Sequence, residues 1–188
     1  MIFTHATILT MNPKREIVEN GAIRVEGDRI TAIGKTPELV TDHPDDDTIN
    51  LSGHIVMPGL IDTHVHTAQC MLRGISECGT VGEFSNWLFG RIFPLQGSYT
   101  EEDALASASL CVLEMLKSGT TGFVECLLAE RYGIDAIAEL CVESGIRAAL
   151  GKVVMDVSPA TRDKLGWHHG MWQTRESAIE GTLAAHDT

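Results

Sequence analysis

Apolar residues in the first part of the chain recur at every second position in short runs. Ile2 to Thr10 is apolar and β-branched and stops at Asn12-Pro13, which predicts a strand. Ala22-Ile23-Arg24-Val25-Glu26 alternates, Gly27-Asp28 turns the chain, and Arg29-Ile30-Thr31-Ala32-Ile33 alternates again, the pattern of a hairpin. Pro37 to Asp47 is polar and acidic and reads as a loop, with Asp45-Asp46-Asp47 solvated; Thr48 to Val56 returns to strand character. The expectation is one small antiparallel β-unit.

From Pro58 the period changes. Gly59-Leu60-Ile61 opens an apolar strand that runs into His64-Val65-His66. Thr100 is placed to cap a helix over 101–118, with Glu101, Glu102 and Asp103 in its first turn, where the helix dipole favours acids. Leu105, Ala108, Val112, Met115 and Leu116 follow at helical spacing, and Gly119 stands where a helix-terminating glycine would. A strand over Thr120–Val124, a helix over about 134–143 ending at Gly145, and a strand over Arg147–Met155 come next. Thr174 is placed to cap a last helix. A Ser-Gly pair closes the helix before each of the last two strands, at 118–119 and 144–145. Alternating helix and strand at this spacing predicts βα units and a parallel sheet.

Charge and composition narrow the function classes. The formal net charge of −12 repels phosphate and argues against a nucleic-acid partner. No window approaches the roughly 18 consecutive apolar residues of a membrane span, and Met1 to Asn12 lacks the basic start of a secretory signal. The five cysteines (70, 78, 111, 126 and 141) contain no C-x-x-C and read as reduced thiols, most of them in the core. The expectation is a cytoplasmic protein without membrane or nucleic-acid partners.

The candidate chemistry centres on His64 and His66. Side chains alternate along a strand, so Asp62, His64 and His66 share one face, with the two imidazoles about 7 Å apart if the strand is regular. They can converge on one metal ion with help from a neighbouring strand. An H-x-H pair alone is weak, since roughly 0.3 are expected by chance in a chain with 8 His in 188 residues. Its context is specific: Val56-Met57-Pro58-Gly59-Leu60-Ile61-Asp62-Thr63-His64-Val65-His66 resembles the first barrel strand of the amidohydrolase superfamily.

The resemblance extends along the chain. Ala6 to Met11, Gly21-Ala22-Ile23, Gly27-Asp28-Arg29-Ile30 and Ile33-Gly34 look like the superfamily's N-terminal β-sandwich. Leu72-Arg73-Gly74, Trp87-Leu88, Ile92-Phe93-Pro94, Glu114 to Thr121 and Gly151 to Asp156 are similar to the branch of deaminases and triazine hydrolases. That branch includes guanine deaminase, S-adenosylhomocysteine/methylthioadenosine deaminase and the chlorohydrolases. The implied fold is α/β: part of a β-sandwich over 1–56, then the first three or so βα units of a (β/α)8 TIM barrel over 57–188. A whole barrel takes roughly 250 residues.

The resemblance implies a hydrolase of non-peptide carbon–nitrogen bonds, acting on a purine or related heterocycle through one Zn2+, alternatively Fe2+. The metal lowers the pKa of its water to around 7, giving hydroxide at neutral pH. His64 and His66 match the family's first two ligands. The remaining ligands and the general acid are expected beyond Thr188, so these 188 residues alone are expected to be inactive. Gln69 is similar to a purine-contacting Gln of guanine deaminase. Arg73 either binds a polar substrate group or pins its loop to Glu77 or Asp103. Trp87 and Phe93 either line an aromatic pocket or pack a helix. Glu125 is a candidate for orienting the His ligands, and Cys70 and Cys126 read as bystanders. His168-His169 reads as a loop lining a pocket or the surface before it reads as a ligand pair. His186 and Asp187 read as a helix surface, and nothing singles out His5, His43 or His54. Homo-oligomers are the assembly the resemblance implies.

Overall fold

A computed structural model describes residues 1–75 and 84–186, so Glu77, Cys78 and Asp187 lie outside the described residues. The chain divides into two compact units, Met1–Gly59 and Leu60–Thr188.

The first unit is a five-stranded sheet built from β1 (Ile2–Leu9), β2 (Ile17–Glu26), β3 (Arg29–Lys35), β4 (Thr48–Asn50) and β5 (Ile55–Val56). The strands β1, β2 and β3 form the expected antiparallel run, with Val25↔Ile30 and Glu26↔Arg29 flanking the Gly27-Asp28 turn. The sheet is not wholly antiparallel: β4 and β5 both pair with β1 in parallel. The expected strand over Thr48–Val56 is interrupted where Leu51 N donates to Thr4 O and His54 N to Leu51 O.

The expected loop over Pro37–Asp47 contains a helix, α1 (Thr36–Asp42). Proline in its first turn costs no hydrogen bond there, and Glu38 suits the positive end of the dipole. Its one apolar anchor, Leu39, packs against Ile2 and Ala22. Gly34 makes room for it, since a Cβ there would stand 2.7 Å from Leu39 Cδ1. A single buried apolar side chain leaves no helical period to read. The acid run is not uniformly solvated either: Asp46 accepts from Arg24 Nε at 2.7 Å. That guanidinium holds the Asp46 carboxyl below the usual carboxylate range.

The second unit is α/β with parallel strands, as expected. Its sheet has the order β6 (Leu60–Val65), β7 (Thr120–Leu128), β8 (Arg147–Lys152), all parallel. Helices α2 (Phe84–Trp87), α3 (Phe93–Ser98) and α4 (Glu101–Ser118) lie between β6 and β7, and α5 (Ile134–Ser144) lies between β7 and β8. Helices α6 (Pro159–Leu165) and α7 (Arg175–His186) follow. Thr100 forms a full capping box on α4: its hydroxyl accepts from Asp103 N while Asp103 Oδ2 accepts from Thr100 N at 2.9 Å. Thr174 Oγ1 likewise accepts from Ser177 N at the start of α7. Gly119 and Gly145 take φ of +88° and +75°, a left-handed turn that glycine adopts without steric cost, and each hands a helix directly to the next strand.

Helices α4 and α5 cover one face of the sheet. Cys111, Val112 and Met115 of α4 and Cys141 of α5 enclose Phe123 of β7, with Val65 packed at their edge. A neighbouring cluster gathers Ala104, Ala108, Leu128, Ile137 and Tyr132. Tyr132 is fully buried and its hydroxyl donates to Gln96 O at 3.1 Å.

Burial pushes the Tyr132 phenol above its ordinary value of 10.0. A folded-state pKa above the unfolded one contributes stability that is complete below about pH 10 and is lost as pH rises further. Tyr132→Phe is therefore expected to cost about 1 kcal/mol near neutrality, by removing one of the two hydrogen bonds that Gln96 O accepts, and to lose less stability than the parent above pH 10. Denaturant midpoints on both sides of that pH check it; parallel curves for the two proteins would refute the assignment.

Candidate metal centre

The site forms where β6 ends. β6 pairs with β7 from Leu60↔Thr120 to Val65↔Glu125, with irregularities between Leu60 and Ile61 and between Asp62 and Val65. His64 lies in the strand and His66 is the first residue past it. Their rings meet edge to face with centroids 4.9 Å apart, closer than the regular two-residue repeat predicts. The Asp62 carboxylate, expected on the same face, is turned onto the backbone and accepts from His64 N at 3.1 Å. His64 is exposed and His66 half-buried.

Behind the imidazoles lies a buried carboxylate. Glu125 is 1% exposed. Its Oε2 accepts from the backbone N–H and the hydroxyl of Thr67, and its Oε1 from Leu127 N at 2.7 Å. Oε1 also stands 3.6 Å from His66 Nδ1. Three donors on one carboxylate offset much of the cost of burying it. Ser107 of α4 completes the clamp: its hydroxyl donates to Thr67 O at 2.8 Å and accepts from Met71 N. The turn Thr67–Leu72 that follows His66 is thus held from both β7 and α4.

The other predicted residues sort around this clamp. Gln69, half-buried in the turn, donates through Nε2 to Gln96 Oε1 at 3.1 Å. Gln96 is itself fully buried, and its own Nε2 has no hydrogen-bond partner among the described residues. Arg73 donates to Cys70 O and forms an ion pair with Glu114 at 2.8 Å. Among the described residues the partner of this guanidinium is therefore Glu114, further along α4 than the expected Asp103. The same contact holds the Glu114 carboxyl below its usual range. Phe93 is buried with Leu72, Ile92 and Met171, and Trp87 packs against them, so both take part in a core cluster. His168 caps a short turn by accepting from Gly170 N through Nδ1. Its ring stacks on His169, and burial holds it below the ordinary imidazole value.

One residue that sequence reasoning set aside joins the site. Among the described residues, His64, His66 and Cys126 form a group whose ligand atoms all lie within 4.8 Å of one another. His168, His169 and His186 are not part of it. The signal for Cys126 lay in the pairing: Val65↔Glu125 places the next residue of β7 beside His66. Two imidazoles and a thiol are a donor set that suits Zn2+, so the residues present fit the metal that the resemblance implies.

Glu125→Gln replaces one acceptor oxygen by an amide that faces N–H and O–H donors. The expected cost is about 1.5–3 kcal/mol of stability, with faster hydrogen exchange at the amides of Thr67 and Leu127. Unchanged exchange at both would show that the carboxylate does not hold the turn.

The model of the amidohydrolase family matches residues 55–188, and that of an imidazolonepropionase-like composite domain of bacteria matches 21–45. The 5-methylthioadenosine/S-adenosylhomocysteine deaminase of Bacillus cereus AH187 is 39% identical over 162 residues, and that of Bacillus anthracis CDC 684 is 38% identical. Each match takes in 86% of this chain and 36% of the relative, so the chain spans little more than a third of their length. In fold it is similar to atrazine chlorohydrolase from Arthrobacter aurescens TC1 complexed with zinc, with a TM-score of 0.79 and 23% identity over all of this chain and 42% of that one. It is also similar to Escherichia coli guanine deaminase, with a TM-score of 0.74 and 21% identity over 99% of this chain and 42% of that one. With the family model covering well over half of its residues, this chain belongs to the amidohydrolase family.

Proposed function

We propose that the chain carries the first metal ligands of a hydrolase acting on non-peptide carbon–nitrogen bonds of a nitrogen heterocycle, a purine derivative or a triazine. The observation that carries the reading is the convergence of His64 and His66 at the end of β6, with the chain just beyond His66 fixed by Glu125. The substrate class is supported by the names of the relatives: deaminases of 5-methylthioadenosine, S-adenosylhomocysteine and guanine, and a chlorohydrolase of atrazine. Zinc is supported by its presence in the chlorohydrolase.

In this reading the parallel sheet β6-β7-β8 is the opening of a (β/α)8 barrel and the first unit is part of a β-sandwich, with the boundary near residue 56. His64 and His66 would hold the ion, which when bound activates water for attack on an amidine-like ring carbon. Glu125 keeps His66 and the following turn in place. Gln69, its amide nitrogen held by Gln96, would offer its side-chain carbonyl to a heterocycle N–H; Arg73 braces the same turn through Glu114. Trp87, packed against Leu72 and Phe93, would line the substrate pocket of the whole enzyme.

A second reading concerns these 188 residues alone. The described ligand group holds three residues and the chain spans 36% of its relatives' length, which favours a partial site without activity of its own. Among the described residues no helix is long and apolar enough to cross a membrane. A cytoplasmic, homo-oligomeric enzyme remains part of the proposal.

Replacing both His64 and His66 with Ala is expected to abolish stoichiometric Zn2+ binding, measured by elemental analysis after dialysis. A full equivalent of zinc in the double variant would sink the metal assignment. The purified 188-residue protein, loaded with Zn2+, is expected to release no ammonia from 5-methylthioadenosine, S-adenosylhomocysteine or guanine above a metal-free control. Turnover above that control would overturn the second reading.

A further inference from the structure

β7 presents two neighbouring residues to opposite sides of the sheet. Glu125 points with Phe123 to the side where α4 and α5 pack, and its oxygens are committed to Thr67 and Leu127. Cys126 points to the other side, is exposed, and meets the His pair there. Its Sγ stands 4.0 Å from His66 Nδ1. With metal–nitrogen bonds near 2.0–2.1 Å and a zinc–sulfur bond near 2.3 Å, a nitrogen and a sulfur sharing one tetrahedral ion lie roughly 3.6 Å apart. A small rotation of an exposed side chain closes the difference.

The remaining described cysteines are unsuited to this role. Cys111 and Cys141 are buried, and burial raises both thiols. Cys70 is half-buried with its Sγ turned to Glu114 at 3.9 Å. Cys126 is the described thiol that is both open to solvent and adjacent to imidazoles.

We propose that Cys126 is a metal ligand, giving this chain a site of two imidazoles and one thiolate. The inference rests on the reading of His64 and His66 as a metal pair and adds a donor to it. Binding forms the sulfur–metal bond as the thiol proton leaves to solvent, while the imidazoles bind neutral. A thiolate among the donors selects soft and borderline ions, so Zn2+, Cd2+ and Co2+ should be held in preference to Mg2+ or Mn2+.

Cobalt(II) makes the sulfur visible. The purified protein titrated with Co2+ is expected to develop a thiolate-to-cobalt charge-transfer band in the near ultraviolet, together with the visible bands of a low-coordinate imidazole site. In Cys126→Ser the charge-transfer band should vanish while the visible bands persist, and Zn2+ affinity should fall at least about tenfold, the lower end of what even outer partners of a metal site cost. Zn2+ should also protect Cys126 from iodoacetamide in the parent protein, read by peptide mass. Circular dichroism of the variant separates loss of the ligand from loss of the fold. Cobalt bound with no sulfur band, or with a band that survives in Cys126→Ser, overturns the Cys126 assignment and leaves the His pair standing. No cobalt or zinc bound by the parent overturns both.

Discussion

A carboxylate buried to 1% exposure sets the geometry on which the candidate centre depends. An ionised group in an apolar interior is costly unless its oxygens are bound, and leaving one unpaired costs more than the net worth of the bond. Glu125 meets that demand with the backbone and side chain of Thr67 and the backbone of Leu127. Thr67 directly follows His66, and Leu127 directly follows Cys126. One carboxylate therefore fixes the chain immediately beyond two of the three donors. This explains how exposed side chains can be well placed: their positions are set by buried neighbours.

The rest of the second unit serves to bring those neighbours together. Parallel strands cannot be joined by a tight turn and need a crossover, which here is helical. Gly119 and Gly145 end α4 and α5 in left-handed turns and release the chain into β7 and β8 with little wasted length. The apolar sides of α4 and α5 then close over Phe123. Chemistry gathers at the strand ends because there the chain leaves the ladder and side chains become free of packing, as in barrel enzymes generally. Ser107 shows the same economy, one buried hydroxyl of α4 serving the turn as both donor and acceptor.

Much of this is legible in the residues. The period-2 runs of 22–33, the Thr100 cap, the two Ser-Gly junctions and the H-x-H pair each follow from local rules, and each local rule agrees with its neighbours. What could not be read depends on partners distant in sequence. Helix α1 hangs on Leu39 meeting Ile2 and Ala22, so its short sequence carries no period. The parallel pairing of β4 and β5 with β1 is a choice of sheet edge that no local pattern encodes. Asp46 belongs to an acid run but is drawn in by Arg24, 22 residues away. Arg73 finds Glu114, 41 residues away on α4, and not Asp103 of the same helix. Cys126 reads as a bystander until β6 and β7 are set side by side.

That pairing also separates stability from chemistry along a single strand. Side chains alternate in β7, so Phe123 and Glu125 serve the fold on one face while Cys126 is available on the other. A slip of one residue between β6 and β7 would exchange them, burying a thiol against α4 and breaking the carboxylate's bonds to Thr67. The slip would also expel Phe123, now 2% exposed, from its cluster. Burying side chains of that size contributes roughly 1.5–3 kcal/mol each, so the apolar positions of β7 hold the register that the polar ones require. The hydrophobic pattern of this strand is thus itself a determinant of the donor set: it decides which residue stands beside His66.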